Sequence, residues 1–309
     1  MSAPVFLRNN YSDLFGSSML PVLEELFRSE IATHERKREK IFKKVSTDRD
    51  IWQSSEIHDM PLANQIAEGQ EYSFYRPYQG VSKSLSPVKF GLGFSISEEA
   101  VADGKFDFIA DAVKKMAKSC SESQEISAMN IFNNGFASEL SADGQFVFDT
   151  DHTLPSGLTF RNALSAAADL SATSLEQMLI DFETQFVGDS GIIMNIKPKV
   201  LLVHPSNRRY AMELIGSDLK ANTADNNMNS LKQDGLMVVS SPHLTDLDAW
   251  FLLADPSETG LRLISRQDVQ TKAAGASEGF TTDSILYKAS YREKIGVTHP
   301  YGIFGTPGV

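Results

Sequence analysis

With 309 residues the chain is long enough to bury a substantial core and to divide into about two domains. Apolar residues at 41% and charged residues at 22% are ordinary for a globular protein, and a net charge of −11 excludes one that coats nucleic acid with most of its surface, though not a local basic face. The longest apolar runs, such as Val200–Val203 and Trp250–Ala254, fall far short of the roughly 20 residues that span a bilayer; Met1–Asn10 lacks the basic region and apolar block of a secretory signal; and the lone Cys120 forms no intrachain disulfide, so a reducing, cytoplasmic setting is expected.

Residues 1–50 do not read as a compact domain. Leu20, Leu23, Leu26 and Phe27 form one apolar stripe of a short helix opened by Pro21, and a stripe of that kind needs a partner that the nearby sequence does not offer. From Arg36 to Lys44 the chain carries Arg36, Lys37, Arg38, Lys40, Lys43 and Lys44 against the single acid Glu39. Such a run is either a solvated helix face or an arm that docks on a neighbour or faces a polyanion.

Between Ile57 and Ile96 strand signals dominate. Tyr72, Phe74 and Tyr75 precede a turn-rich break at Arg76-Pro77-Tyr78-Gln79-Gly80, and Val81, Lys83, Leu85, Val88, Phe90, Leu92, Phe94 and Ile96 follow, which predicts a long β-hairpin. From Lys89 to Ile96 the alternation is strict and gives one apolar and one small or polar face. A hairpin this long is marginal alone in water and must lie on its own body or on a neighbouring subunit.

Asp107–Asn134 is the longest segment that reads as one helix. Ile109, Ala112, Val113, Met116, Ala117 and Cys120 recur at three- and four-residue steps, while Asp111, Lys114, Lys115 and Lys118 point elsewhere. A continuous helix here runs about 40 Å at roughly 1.5 Å per residue. The run Ser119–Glu125 has poor helix propensity and no apolar stripe, which predicts a bend.

After Gly135, Asp143–His152 reads as a turn, a short strand and an acidic knot, in which Asp149, Asp151 and His152 are the nearest approach to a metal or hydrolytic site; a structural turn competes with that reading, because Asp bonds readily to its own backbone. Ser171–Phe186 reads as a helix with Leu175, Met178, Leu179, Phe182 and Phe186 on one face and Ser174 as its cap. A buried strand at Val200–Val203 leads into a helix from about Asn207 to Ile215, and Asn222–Asn229 is a polar loop. Met237–Val239 and Ala249–Ala254 are further buried strands, Leu261–Ile264 adds another, and Lys272–Gly279 reads as a hinge or loop. Ile285, Tyr287, Ala289 and Tyr291 alternate with polar residues, and the chain runs extended to its end. His204 and His243 each stand beside a proline without an activating carboxylate or nucleophile motif. No phosphate loop, nucleophile elbow or zinc-binding motif occurs, and no cofactor is expected.

The order of parts resembles the HK97-like fold of tailed-phage major capsid proteins, an α+β fold with an N-terminal arm, an extended β-hairpin loop, a long spine helix, a peripheral domain and an axial domain. More narrowly, Lys89–Ser97, Phe148–His152, Pro198–Pro205 and above all Ser241–Asp255 are similar to the Mu-type major head subunit family. That resemblance implies an arm at 1–56, an extended loop at 57–97, a peripheral domain with the spine helix at 98–171 and 280–309, and an axial domain at 172–279. It implies a virion protein that assembles in the host cytoplasm as pentamers and hexamers around double-stranded DNA, with scaffold, portal and decoration proteins as partners and no membrane. Tyr72, Phe74, Arg76, Tyr78, Lys83 and Lys89 become candidates for contacts between subunits, and Arg36, Lys37, Arg38, Lys40, Lys43 and Lys44 candidates for an interior basic arm. Some relatives fuse subunits through a lysine of the extended loop; no acidic catalytic partner accompanies Lys83 or Lys89, so no cross-link is expected. The same fold serves encapsulin-like compartments, and a hydrolase using Asp149, Asp151 and His152 is the enzyme alternative.

Overall fold

A computed structural model describes residues 19–57, 60–72, 74–76, 79–97, 99–100, 103, 106–217, 230–274 and 284–309. Tyr78 with the turn through Pro77, the Asn222–Asn229 loop and the 275–279 part of the expected hinge lie outside them.

The first helix, α1 (Met19–Thr33), buries Leu23 and Phe27 in a core shared with Ile109, Val113, Met116, Ala117 and Cys120. The partner that its apolar stripe requires is therefore the spine helix, some eighty residues further on. A single turn, α2 (Arg38–Ile41), and a short strand, β1 (Lys43–Ser46), follow, and β1 lies parallel to the later strand β10 (Leu261–Ala274).

The expected hairpin is built differently from its prediction. Its two arms are β2 (Trp52–Ile57) and β3 (Gln79–Leu85), paired antiparallel from Trp52 opposite Leu85 to Ile57 opposite Gln79. Tyr72 and Phe74–Tyr75 fall in the irregular connection between the arms rather than in a strand. The continuous second arm expected from Val81 to Ile96 is broken at Ser86-Pro87, where proline fixes φ and supplies no N–H to a ladder. Beyond the break, β4 (Val88–Ser97) leaves the hairpin and pairs with β11 (Ser284–Val297), Ile96 opposite Ile285 and Phe90 opposite Tyr291. Its alternation holds for three of its four apolar residues: Phe90 stacks on Tyr291 with centroids 5.2 Å apart, Phe94 lies 5.6 Å from Tyr287 and Ile96 is buried, whereas Leu92, expected on the same face, is exposed.

The spine helix, α3, spans Phe106–Asn133. Helical structure continues through Ser119–Glu125, where a bend was predicted, because that run has a buried face made of Cys120, Ser121, Gln124 and Glu125. Polar residues occupy a stripe that an apolar count overlooks. The helix ends under Phe148: a Cβ on Gly135 would lie 2.7 Å from that ring, so only glycine fits. Asn133 then fastens the next domain, its side chain donating to the His243 carbonyl at 2.9 Å and accepting from the Thr245 amide at 3.0 Å.

After a short ladder of β5 (His152–Thr153) and β6 (Thr159–Phe160), α4 (Ala172–Thr184) starts with Ser171, not Ser174, as its cap. Ser171 Oγ accepts from the Ser174 amide at 3.2 Å while Ser174 Oγ accepts from the Ser171 amide at 2.8 Å, a reciprocal box. Ser171→Ala should cost about 1 kcal/mol of stability in urea denaturation; a loss as large for Thr173→Ala, an exposed first-turn residue outside the box, would show that the cap is not the cause.

The second sheet has the order β12-β9-β7-β8, from β7 (Val200–Val203), β8 (Met237–Ser240), β9 (Trp250–Leu253) and β12 (Ile303–Thr306), with α5 (Arg208–Gly216) beside it. Val200, Leu202, Phe251, Leu253 and Ile303 face the spine helix residues Met129 and Phe132, whereas Leu201, Val203, Trp250, Leu252 and Phe304 join Leu175, Met178 and Phe182 of α4. Burial on both faces explains why these strands read as unbroken apolar runs. The C-terminal strand β12 completes this sheet by pairing with β9, so residues 303–306 join the part of the fold that carries 172–279.

The first sheet has the order β1-β10-β11-β4. Lys272, Ala273 and Ala274, expected in a hinge, are the end of the 14-residue strand β10, which pairs with β11 through register shifts between Ser265 and Gln270. Arg266, Gln267, Asp268 and Gln270 hide the strand in sequence; Val269 and Ala273 pack on the spine-helix core.

Candidate assembly surfaces

The irregular connection between β2 and β3 exposes several large apolar side chains. Met60, Leu62, Tyr72 and Phe74 are all exposed, Phe74 at 92%, although large apolar side chains ordinarily find cover. Arg76 lies exposed beside them. Lys83 behaves differently from the other contact candidates, because its Nζ donates to the Leu140 carbonyl at 2.9 Å and so ties β3 to the loop after the spine helix. Lys89 is exposed on β4, opposite Arg292.

The basic run is not a free arm in this structure. Arg38 is buried: its Nη2 donates to Gln124 Oε1 at 2.7 Å, its backbone N–H faces the Glu125 carboxylate at 3.3 Å, and its Nη1 lies 4.0 Å from Glu125 Oε1. Gln124 in turn donates to Glu293 Oε2 at 2.8 Å, so one arginine serves two buried carboxylates on α3 and β11. Burial pushes the Glu125 and Glu293 carboxyls up, against the pull of the Arg38 guanidinium. Lys37 donates to the Ser240 carbonyl, Arg36 pairs with Glu39, Lys40 with Glu35, and Lys44 with Asp268 at 2.8 Å. The bonds from Lys40 and Lys44 hold the Glu35 and Asp268 carboxyls below the usual range. Lys43 points to solvent. Periodicity shows a cluster of charge but not that its third member is a core residue; a cavity of about 290 Å³ lined by Phe27, Arg38, Gln124 and Glu293 lies over it.

The acidic knot resolves into a structural turn. Asp149 Oδ1 accepts from the amides of Thr150 at 2.7 Å and Asp151 at 3.3 Å, and Asp151 is exposed. His152 is fully buried and meets neither: its Nδ1 lies 2.6 Å from Asp143 Oδ2, its Nε2 lies 3.0 Å from Asn162 Oδ1, and its ring stacks on Phe160. Asp143 and Asn162 are partners that spacing did not reveal. His204 and His243 are likewise apart in role, the first bonded to Ser206 and the second 2.8 Å from Glu122. Among the described residues no group of three or more His, Cys, Asp or Glu side chains converges as a metal site, and no helix is long and apolar enough to cross a membrane.

A long helix laid on a four-stranded sheet, an exposed two-stranded hairpin and a second sheet closed by the C-terminal strand define an HK97-like α+β capsid fold. Solved structures agree: the virus-like particle from Pyrococcus furiosus matches with a TM-score of 0.56 at 11% identity, over 94% of this chain and 99% of that one. The capsid of a native GTA particle matches at 0.58 and 11%, over 88% and 90%, and the procapsid of bacteriophage JBD30 at 0.51 and 14%, over 94% and 74%. At these identities the likeness is one of fold. Residues 80–305 match the family described as phage capsid protein, and the chain belongs to that family. No curated protein sequence matches it.

Proposed function

We propose that the protein is the major head subunit of a tailed double-stranded DNA phage or prophage of the Mu type, closing as pentamers and hexamers into an icosahedral shell. The observation that carries this reading is the projecting β2–β3 connection, whose Met60, Leu62, Tyr72 and Phe74 lie exposed on a chain of the phage capsid family. A segment of this kind gains its burial from a neighbour, as apolar surface does in obligate assemblies. In this reading residues 57–97 form the extended loop, 98–171 with 280–309 the peripheral domain and 172–279 the axial domain, except that β4 and β10 pair with β11 and so go with the peripheral sheet, and β12 pairs with β9 and goes with the axial one. The role is structural and needs no cofactor. Assembly in the host cytoplasm, with scaffold, portal and decoration proteins and with packaged DNA inside the virion, completes the proposal.

Purified protein, with any scaffold it needs, should form closed shells by electron microscopy and light scattering; monomers alone under all conditions would reject the reading. Phe74→Ala should weaken assembly while leaving the melting of the free subunit unchanged, because the ring is 92% exposed in the single chain. An encapsulin-like compartment is a second reading, suggested by the fold shared with the Pyrococcus furiosus particle. Particles isolated from the host that hold cargo protein and no genomic DNA would favour it.

A further inference from the structure

The junction around Arg38 leaves three buried polar atoms without a hydrogen-bond partner: Nε and Nη1 of Arg38 and Oε1 of Glu293. The two residues are only 7% and 4% exposed. Buried polar atoms in folded proteins are nearly all paired, and an unpaired one on a charged group is the costliest kind, so three together call for an occupant. The acid nearest Nη1, Glu125 Oε1, stands 4.0 Å away, beyond hydrogen-bond reach. Both side chains line one cavity of about 290 Å³, set between α1, α2, the spine helix and the first sheet. That volume lies near the lower edge of the range for ligand pockets, about 300–1,000 Å³, and suits a small ion rather than a large molecule.

The chemistry of the unpaired atoms selects the ion. Arg38 offers N–H donors and asks for oxygen acceptors, whereas the carboxylate oxygen of Glu293 asks for a donor. Gln124 Oε1 accepts from Arg38 at 2.7 Å and Gln124 Nε2 donates to Glu293 at 2.8 Å, so one amide group brings the guanidinium and the carboxylate within reach of a single small ligand. The occupant is then an oxyanion that still carries a proton. Burial pushes the Glu293 carboxyl up, which makes its ionised form a strong acceptor for that proton. Arg28, Arg36 and Lys44 also line the cavity, tied to Glu24, Glu39 and Asp268 in pairs open to solvent. Pairs so exposed are weak and yield readily to an incoming anion.

We propose that this cavity binds inorganic hydrogen phosphate, its oxygens on Nε and Nη1 of Arg38 and its hydroxyl donating to Glu293 Oε1. A sulfate ion has the same shape but no proton to donate. A phosphate monoester, whose second ionisation falls near about pH 6, has lost its own by pH 8. Water is the competing occupant, because it both donates and accepts. Bound phosphate joins the α1–α2 segment to the spine helix and to β11, and stabilises the folded chain by mass action. The inference stands apart from the shell reading, since the site is complete within one subunit.

Titration of the purified full-length subunit with sodium phosphate at pH 8, at an ionic strength held constant with chloride and followed by calorimetry and melting, provides the test. One saturable site per subunit is expected, with sulfate and methyl phosphate bound at least about tenfold more weakly, the size of one hydrogen bond to a charged group. Glu293→Gln should bring sulfate to within about threefold of phosphate, because the amide turns N–H donors to an anion that has no proton. Should that variant fail to fold by circular dichroism, Arg36→Gln with Lys44→Gln replaces it and should weaken phosphate binding at least about fivefold while keeping the preference over sulfate. Absence of saturable binding up to about 10 mM phosphate would assign the cavity to water and overturn the proposal. Equal affinity for sulfate in the parent overturns it too, as does a Glu293→Gln protein that discriminates like the parent or an Arg36→Gln, Lys44→Gln protein that binds phosphate unchanged.

Discussion

Arg38→Ala should cost the subunit about 3–5 kcal/mol, the range expected when one member of a buried ion pair is removed and its partner is left uncompensated. Arg38 is held by α2, its guanidinium meets Gln124 on α3, and Gln124 passes the connection to Glu293 on β11. Three elements distant in sequence thus share one cation. Removing it leaves the Glu125 and Glu293 carboxylates buried with no guanidinium near either. Arg38→Lys should recover only part of the loss, since an ammonium cannot present the planar fork that reaches both Gln124 and Glu125. A loss below about 1 kcal/mol for Arg38→Ala in urea denaturation would show that the junction is solvated rather than buried.

The sign of the pH dependence follows from the two carboxyls. Burial raises both above their ordinary value, so each favours the folded state most when protonated, and that contribution is lost as pH rises through the raised folded-state value. The penalty for Arg38→Ala should accordingly shrink as pH falls towards the carboxylate range and be largest at neutral pH and above. Glu293→Gln is expected to be neutral or stabilising at pH 7, because it removes one buried charge and keeps an oxygen that accepts from Gln124. Denaturation at pH 5 and pH 8 distinguishes the cases: an Arg38→Ala penalty that grows on acidification would contradict the arrangement.

What the sequence discloses is periodicity, and periodicity names faces without naming partners. The spine helix was legible because Ile109, Val113, Met116, Ala117 and Cys120 recur every three or four residues, and all five are buried. The strict alternation of Phe90, Leu92, Phe94 and Ile96 predicted a strand correctly, but nothing local shows that it pairs with a segment almost two hundred residues later instead of closing the hairpin, or that Leu92 is left exposed. Strand β10 was cut short because its middle is polar, half-exposed ribbon. The basic run illustrates the same limit at the level of a site: six similar charges stand in nine residues, and only tertiary packing singles out Arg38. His152 was recognised as unusual, yet its partners Asp143 and Asn162 lie nine and ten residues away on either side, where no motif spacing points. The connection between β2 and β3 was legible as an extended, aromatic segment, and Tyr72 and Phe74 are exposed there.

Phe251→Ala should rival the loss of Arg38, at about 3–5 kcal/mol. Phe251 is buried at the centre of a ring cluster, with centroids 5.1 Å from Phe132 on the spine helix, 5.9 Å from Phe136 and 5.0 Å from Phe148. A Cβ on Gly305 of the neighbouring strand β12 would lie 2.6 Å from the ring, so the aromatic side chain rests directly on that backbone. The surroundings come from a helix, a loop and two strands, and they cannot all collapse into the space left behind, which places the cost at the upper end for a large-to-small change. The urea midpoint should fall with little change in slope, and Phe251→Leu should retain part of the loss through its smaller cavity. Leu286→Ala, on the exposed face of the first sheet, is the control and should stay within about 0.5 kcal/mol in the free subunit. A loss of that size takes much of a stability that totals about 5–15 kcal/mol for an ordinary domain. Because association stabilises the folded subunit by mass action, the variant should melt well below the parent as free protein and closer to it within assembled shells. An equal deficit in both states would mean that shell contacts do not support the folded subunit.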